Sequence, residues 1–269
     1  MRVAGKSRRV DPLAQPAANP ARVYDYLLGG NTNLDADRQA AKLLIRAKPD
    51  LLPNVQANRR FLGRAVQHLA GAEGIWQFLD IGTGIPTMDN THEVAQRANP
   101  AARVVYVDND PAVLAHAHAL LTSTPEGMTA FVQADLRDPQ HILAQAARTL
   151  DFAEPVAVMM LGILYLIEDT EDPYRIVTQI MAATAPGSWL VISHPASDVH
   201  GEAAARGAQR YAKATGLRQT NRTHAAVTKF FDGLELAEPG VIQANRWRPD
   251  PGDDTGVTLS NWCGAARKP

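Results

Sequence analysis

The stretch Phe78-Leu79-Asp80-Ile81-Gly82-Thr83-Gly84-Ile85-Pro86, followed by the apolar run Val104-Val105-Tyr106-Val107 that ends in Asp108, constrains this chain more than any other feature. An apolar segment running into paired glycines reads as a buried strand that turns sharply into a helix, and the second run delivers a carboxylate beside that turn. Asp108 follows Gly84 at about the 20-residue separation that one helix and one turn require between a glycine loop and a ribose-binding acid. Together they predict a nucleoside-binding strand, helix and strand.

Two details bear on which nucleoside. A dinucleotide fingerprint needs a third small residue after the turn, so that the helix packs on the strand and aims its N-terminus at a pyrophosphate. Pro86 and Thr87 occupy that place here. Asp80, two positions before the first glycine, would repel a pyrophosphate and attract the ammonium and sulfonium of S-adenosylmethionine (SAM). The pattern therefore favours SAM over NAD(P). Two other readings of the same residues stay open at this point: Asp80 and Asp108 as caps of the turns that follow them, and a nicotinamide-dependent oxidoreductase.

Composition narrows the class. With 269 residues, 45% of them hydrophobic and 20% charged, the chain suits one large α/β domain with appendages. A formal net charge of −1 gives no basic footprint, which argues against long nucleic acid as a partner. The lone Cys263 excludes an intrachain disulfide and fits a reducing compartment. The apolar run 156–167 is too short to span a bilayer, so no membrane association is expected. The basic start (Arg2, Lys6, Arg8, Arg9) has no apolar signal core behind it. A cytoplasmic location is the expectation.

Residues 1–19, rich in Ala, Pro and Arg without periodicity, read as a mobile arm. Residues 20–74 read as a helical preface: Asn19 can cap, Pro20 suits a first helical position, Gly29 and Gly30 can end that helix, and 34–47 and 55–70 carry helical spacing broken by Pro49 and Pro53. From 75 to 269 the chain alternates. Strands are predicted at 76–81, 103–108, 128–134, 156–161 and 188–193, with helices at 92–99, 111–122, 139–150 and 173–185. That alternation calls for a doubly wound, mostly parallel sheet. An inserted helix near 201–215, a short helix at 224–231 and last strands at 241–244 and 257–263 complete the reading.

By these residues the chain resembles a class I, Rossmann-like SAM-dependent methyltransferase. More narrowly it is similar to a bacterial S-adenosyl methyltransferase family formerly classed as a domain of unknown function. The likeness rests on Ala21-Arg22-Val23-Tyr24-Asp25-Tyr26-Leu27-Leu28-Gly29-Gly30, Asp37-Arg38, Asn58-Arg59-Arg60-Phe61-Leu62, Asp80-Ile81-Gly82-Thr83-Gly84, Val107-Asp108-Asn109-Asp110-Pro111, Ala134-Asp135-Leu136-Arg137-Asp138-Pro139 and Gly233-Leu234-Glu235-Leu236, in order. The resemblance implies SAM as cofactor and S-adenosylhomocysteine as product. Asp80 with Gly82, Thr83 and Gly84 would hold the methionine end, Asp108 the ribose, and Asp135 with the Leu136 amide the adenine, assisted by Asn109. Tyr24, Gly29, Gly30 and Asn33 would form a lid over the cofactor, and Arg59 would pair with its carboxylate. Asp37 and Arg38 read as structural pairings.

For the acceptor the sequence offers less. There is no Gly-x-Ser-x-Gly elbow, no His-Glu-x-x-His and no cysteine cluster, so neither hydrolase chemistry nor a metal site is expected. The Asn/Asp-Pro-Pro-aromatic motif of amino-group methylation is missing after the fourth strand, which favours a hydroxyl or carboxylate on a small molecule. Tyr165 and His194, near strand ends where open α/β sheets bind ligands, are the candidate catalytic residues, with His194 as a possible proton acceptor. A non-catalytic SAM-binding protein is the alternative. No oligomeric state follows from the sequence.

Overall fold

The computed structural model describes residues 18–86, 89–120, 122–201 and 218–269, together with 205, 206, 209, 210, 212, 213 and 216. The arm at 1–19 therefore lies outside the described residues except for Ala18 and Asn19, and so does Thr87 and most of the segment read as an inserted helix at 201–215.

Five strands pair in parallel: β1 (Gln77–Ile81), β2 (Arg103–Asp108), β3 (Met128–Gln133), β4 (Ala157–Leu161) and β5 (Trp189–Pro195). An antiparallel β7 (Asn261–Arg267) and the two-residue β6 (Glu235–Leu236) close one edge, giving the order β3-β2-β1-β4-β5-β7-β6. Central strands buried on both faces must be apolar throughout, and side chains then divide by parity. Phe78, Val104, Tyr106, Ala157 and Met159 enter one core with helices α3 (Leu51–Gly71) and α4 (Thr91–Ala98). Leu79, Ile81, Val105, Val107, Val158 and Met160 enter the other, with α6 (Pro139–Ala146) and α7 (Pro173–Ala182). The helix α5 (Pro111–Leu120) links β2 to β3.

The parity also places Asp80. It shares the face of Phe78 and so looks toward α3 and α4, from the last turn of β1.

Two buried carboxylates shape the N-terminal helices. Asp37, in α2 (Asp35–Ala47), is fully buried and accepts from the Asn19 amide (2.8 Å), the Leu34 amide (2.8 Å) and Arg22 Nε (2.7 Å) of α1 (Pro20–Leu27). Asp25 is also buried and accepts from the Thr32 amide (2.9 Å) and Asn33 Nδ2 (2.8 Å), wrapping the 28–33 turn around its own side chain. A Cβ on Gly30 would come within 2.0 Å of Asp25 Oδ1, which leaves room for glycine alone. Val23, Leu27, Leu44 and Val55 fill a small core between α1, α2 and α3.

Three of the differences from the sequence expectation have a physical cause. Helix α3 starts at Leu51, because Pro53 falls in its first turn, where a missing N–H costs nothing. The last strand is 261–267, not 257–263, and 241–244 contributes a single antiparallel bridge, Ile242 with Cys263, while the strand of that flank is β6. Gly264, Ala265 and Ala266 carry little strand propensity, so only their pairing with β5 makes them a strand. Among the described residues no helix is long and apolar enough to cross a membrane.

Two glycine substitutions separate these constraints. Gly30→Ala forces a methyl group into the Asp25 carboxylate and should cost about 1–3 kcal/mol. Gly63→Ala, inside α3 with nothing within 4 Å of the added Cβ, should stabilise by about 0.5–1 kcal/mol. Denaturant unfolding of both variants checks the opposite signs.

Candidate functional site

A cavity of about 530 Å³ lies between the C-terminal ends of β1, β2, β4 and β5 and the three N-terminal helices. Open α/β sheets hold ligands at that edge, and the size suits a small organic ligand.

The glycine turn forms its floor. The Gly82 and Thr83 amides both donate to Val107 O (2.8 and 3.3 Å), hooking the end of β1 onto β2. Gly82 has φ +77°, and a Cβ there would come within 2.6 Å of the Ile163 side chain. Gly84 has φ +65°, but an added Cβ would meet nothing within 4 Å. One glycine lets the β4 loop pack against the turn, and the other leaves the backbone open to the cavity. Thr83 Oγ1 donates to Asp80 O (3.1 Å) and braces the turn.

Asp80 and Asp108 stand on either side. Asp80 is 6% exposed, and Thr91 Oγ1 donates to its Oδ2 at 2.6 Å. Burial pushes its pKa up to about 6, against the lowering effects of the Thr91 hydrogen bond and the Arg59 charge. Asp108, partly buried, accepts from the Gly84 amide on Oδ2 (2.9 Å) and from the Asp110 amide on Oδ1 (3.0 Å), and burial raises its pKa as well. It braces the turn and lines the cavity, with lone-pair capacity to spare on both oxygens.

From the helical side, Tyr24 and Arg59 reach the cavity, as does Asn109 from the loop after β2. Tyr24 Oη accepts from Asn58 Nδ2 (2.9 Å), and burial raises the phenol pKa. Arg59 Nη2 donates to Asn90 Oδ1 (3.2 Å) and its charge is felt at Asp80. Gly29, Gly30, Asn33, Asp135 and Leu136 are not among the residues that line the cavity. The first three form the turn around Asp25. The Asp135 carboxylate accepts from the Arg137 amide (2.9 Å) and pairs with the Arg137 side chain, and Leu136 is buried in the core.

His194 and Tyr165 both line the cavity. The expectation that His194 takes a proton needs correction. Arg222 Nη1 donates to His194 Nε2 at 2.9 Å, which makes Nε2 the acceptor and leaves the proton on Nδ1, 3.0 Å from Pro195 O. Both ring nitrogens are thus occupied. Burial pushes the pKa down to about 3, so the ring is neutral and a poor base. Arg222 is itself buried and donates further to Leu164 O (3.0 Å), Ile167 O (2.8 Å) and Asp169 Oδ1 (2.7 Å). The His194–Arg222 pair therefore fastens the loop that carries Tyr165.

Lys48, Asn54 and Asn58 are among the lining residues that were not singled out from sequence as site residues. The asparagines sit four apart on α3, on its inward stripe beside Leu51, Val55 and Leu62, and a polar pair on such a stripe is the signal that could have found them. Among the described residues the Oδ1 atoms of both are buried without a hydrogen-bond partner.

A family model described as S-adenosyl methyltransferase matches residues 6–269. The chain belongs to that family. It is 43% identical to a DUF574 family protein from Streptomyces avermitilis over 94% of this chain and 98% of that one, with a TM-score of 0.91. It is 40% identical to a candidate methyltransferase from Thermobifida fusca over 94% and 95% of the two chains, with a TM-score of 0.86. At 16% identity, a Burkholderia thailandensis 1,6-didemethyltoxoflavin N1-methyltransferase shares the fold alone, with a TM-score of 0.50 over 96% and 93% of the chains. No curated protein matches. SAM is the cofactor of the family, which decides against the nicotinamide alternative. The site fits it: a buried acid beside an open glycine turn suits a cationic methionine end, and a second acid suits a ribose.

A carboxyl whose pKa is higher folded than unfolded keeps its proton longer in the folded state, so its contribution to stability is lost as pH rises from its ordinary 3.8 toward about 6. Asp80→Asn should therefore stabilise the ligand-free protein by about 2–3 kcal/mol at neutral pH, with little effect near pH 4. Thermal unfolding of both proteins across this range tests it; a parallel pH dependence would show that Asp80 is not the group responsible.

Proposed function

We propose that this S-adenosyl methyltransferase transfers a methyl group to a hydroxyl or carboxylate oxygen of a small molecule, with the cofactor seated on the turn from Asp80 to Gly84. The observation that carries the reading is the buried Asp80 carboxylate beside the open Gly84 backbone, at one end of a cavity that continues past it.

In this reading the residues divide by the charge each can meet. Asp80 accepts from the methionine ammonium, Arg59 pairs with the methionine carboxylate, and Asp108 accepts from ribose hydroxyls through its spare lone pairs. Asn109 borders the adenine. Asp135 and Leu136 complete the adenine site only if the Arg137 side chain yields its hold on Asp135. Tyr24 and α1 cover the cofactor, with Gly29, Gly30 and Asn33 acting as the frame of that lid through Asp25.

When bound, the cofactor supplies a methyl group already activated by its sulfonium. What remains for the protein is to hold the acceptor in line and keep water out. Tyr165 serves as wall and orienting hydroxyl. His194 holds the β4 loop in place through Arg222 and moves no proton. A carboxylate acceptor needs no base at all.

Calorimetry should show saturable binding of S-adenosylhomocysteine and none of NAD. Asp108→Ala should weaken that binding by about 1–3 kcal/mol. Because a cationic ligand favours ionised Asp80, affinity should fall about tenfold per pH unit below about 6. Labelled SAM incubated with metabolite extracts then reports transfer. Binding of NAD without any S-adenosylhomocysteine signal would overturn the proposal.

A further inference from the structure

We infer that the end of the cavity remote from Asp80, at Lys48 and Asn54, anchors the methyl acceptor and that it takes a hydroxyl group carried on an apolar, phenol-like body. The inference rests on the reading above that the Asp80 end holds the cofactor. Asn54 is tied to Ser260 (Nδ2 to Oγ, 3.3 Å), at the start of β7, and β7 lies three strand spacings from β1. Those spacings amount to about 14 Å, so the two ends are separate places.

Lys48 closes α2 and projects into the cavity wall. Among the described residues its ammonium has no hydrogen-bond acceptor, and the opposite charge that acts on it is Asp50. Asp50 is already engaged: its Oδ2 accepts from Asn54 Nδ2 (2.7 Å), Ser260 Oγ (2.5 Å) and the Ser260 amide (3.2 Å), with His200 Nε2 at 3.5 Å. Burial lowers the Lys48 pKa, in keeping with a cation short of partners.

Asn54 is 6% exposed. Its Nδ2 also donates to Asp50 O (2.7 Å), so all its neighbours on that side are acceptors and the amide orientation is fixed. Among the described residues Oδ1 has no partner. This end of the cavity therefore offers a donor from Lys48 and an acceptor from Asn54, against the apolar walls Leu44, Leu51, Val55 and Leu166.

A hydroxyl satisfies both, since its oxygen accepts from Lys48 and its hydrogen goes to Asn54. A carboxylate has no hydrogen for Asn54 and would face Asp50 as a like charge. An ammonium would face Lys48. The apolar walls demand an apolar carrier behind the hydroxyl.

The chromogenic phenol para-nitrophenol tests this on the full chain, with and without S-adenosylhomocysteine. Bound as the neutral phenol, with its hydrogen on Asn54, its apparent pKa should rise by about one unit, read as lost phenolate absorbance. Neither benzoate nor benzylamine should compete. Asn54→Leu should abolish the rise and weaken binding about tenfold; Lys48→Met should weaken binding while keeping the rise, and Lys48→Arg should restore the affinity. Affinity for S-adenosylhomocysteine should stay the same in all three variants. Probe binding without a shift, a fall in place of the rise, or a rise that survives Asn54→Leu would overturn the inference. Failure of the wild type to bind S-adenosylhomocysteine would instead remove the cofactor reading, and the probe measured alone would still judge the subsite.

Discussion

The hook of the glycine turn onto β2 is the contact from which the site is built. Two successive amides of the turn converge on one carbonyl, Val107 O, and the next glycine amide is taken by the Asp108 side chain. This is possible only because β1 and β2 run in parallel, with Asp80 opposite Tyr106 and Ile81 opposite Val107. The register brings two acids to one edge of the sheet. Parallel strands buried on both faces leave no freedom to slip, since a one-residue shift would exchange the two cores.

That edge carries an electrostatic cost. Asp80 sits in a wall made mostly of carbon, where charge is poorly solvated, and Asp108 raises its pKa further. Arg59 and Thr91 offset part of this. The arrangement is favourable for a cation and unfavourable for an empty ionised site, so stability is sacrificed at the place where a ligand can restore it.

The helical cover solves a different problem. The helices α1 and α2, with one small core against α3, cannot hold a fixed pose by apolar packing alone, and buried carboxylates take over. Asp37 gathers donors from the start of α1 and α2, while Asp25 gathers those of the turn between them. Asn19 extends the tie to the sheet, donating from Nδ2 to Asp110 Oδ2 at 2.5 Å. On the other side of the cavity Arg222 does comparable work, with His194 as one of its acceptors. Buried polar groups of this kind fix geometry because each broken partner leaves an unpaired charge or dipole behind.

The alternation of strands and helices, the glycine turn and the two acids were legible in the sequence because they follow from local periodicity and from spacing along the chain. Gly30 was legible as a turn residue, but its reason, the Asp25 carboxylate filling the space of a Cβ, was not. The last strand was placed at 257–263 rather than 261–267 because small residues carry no pattern of their own and become a strand only when β5 is beside them. His194 read as a base from its place at a strand end; Arg222, 28 residues later, reverses that by capping the ring. Lys48 and Asn54 look unremarkable in one dimension and meet only when α2, α3 and the start of β7 converge. The sheet, the glycine turn and the acids beside it were set by neighbours along the chain. The protonation of His194, the lining of the cavity and its far end were decided by tertiary structure, since a pKa or a partner depends on what the fold brings within a few ångströms.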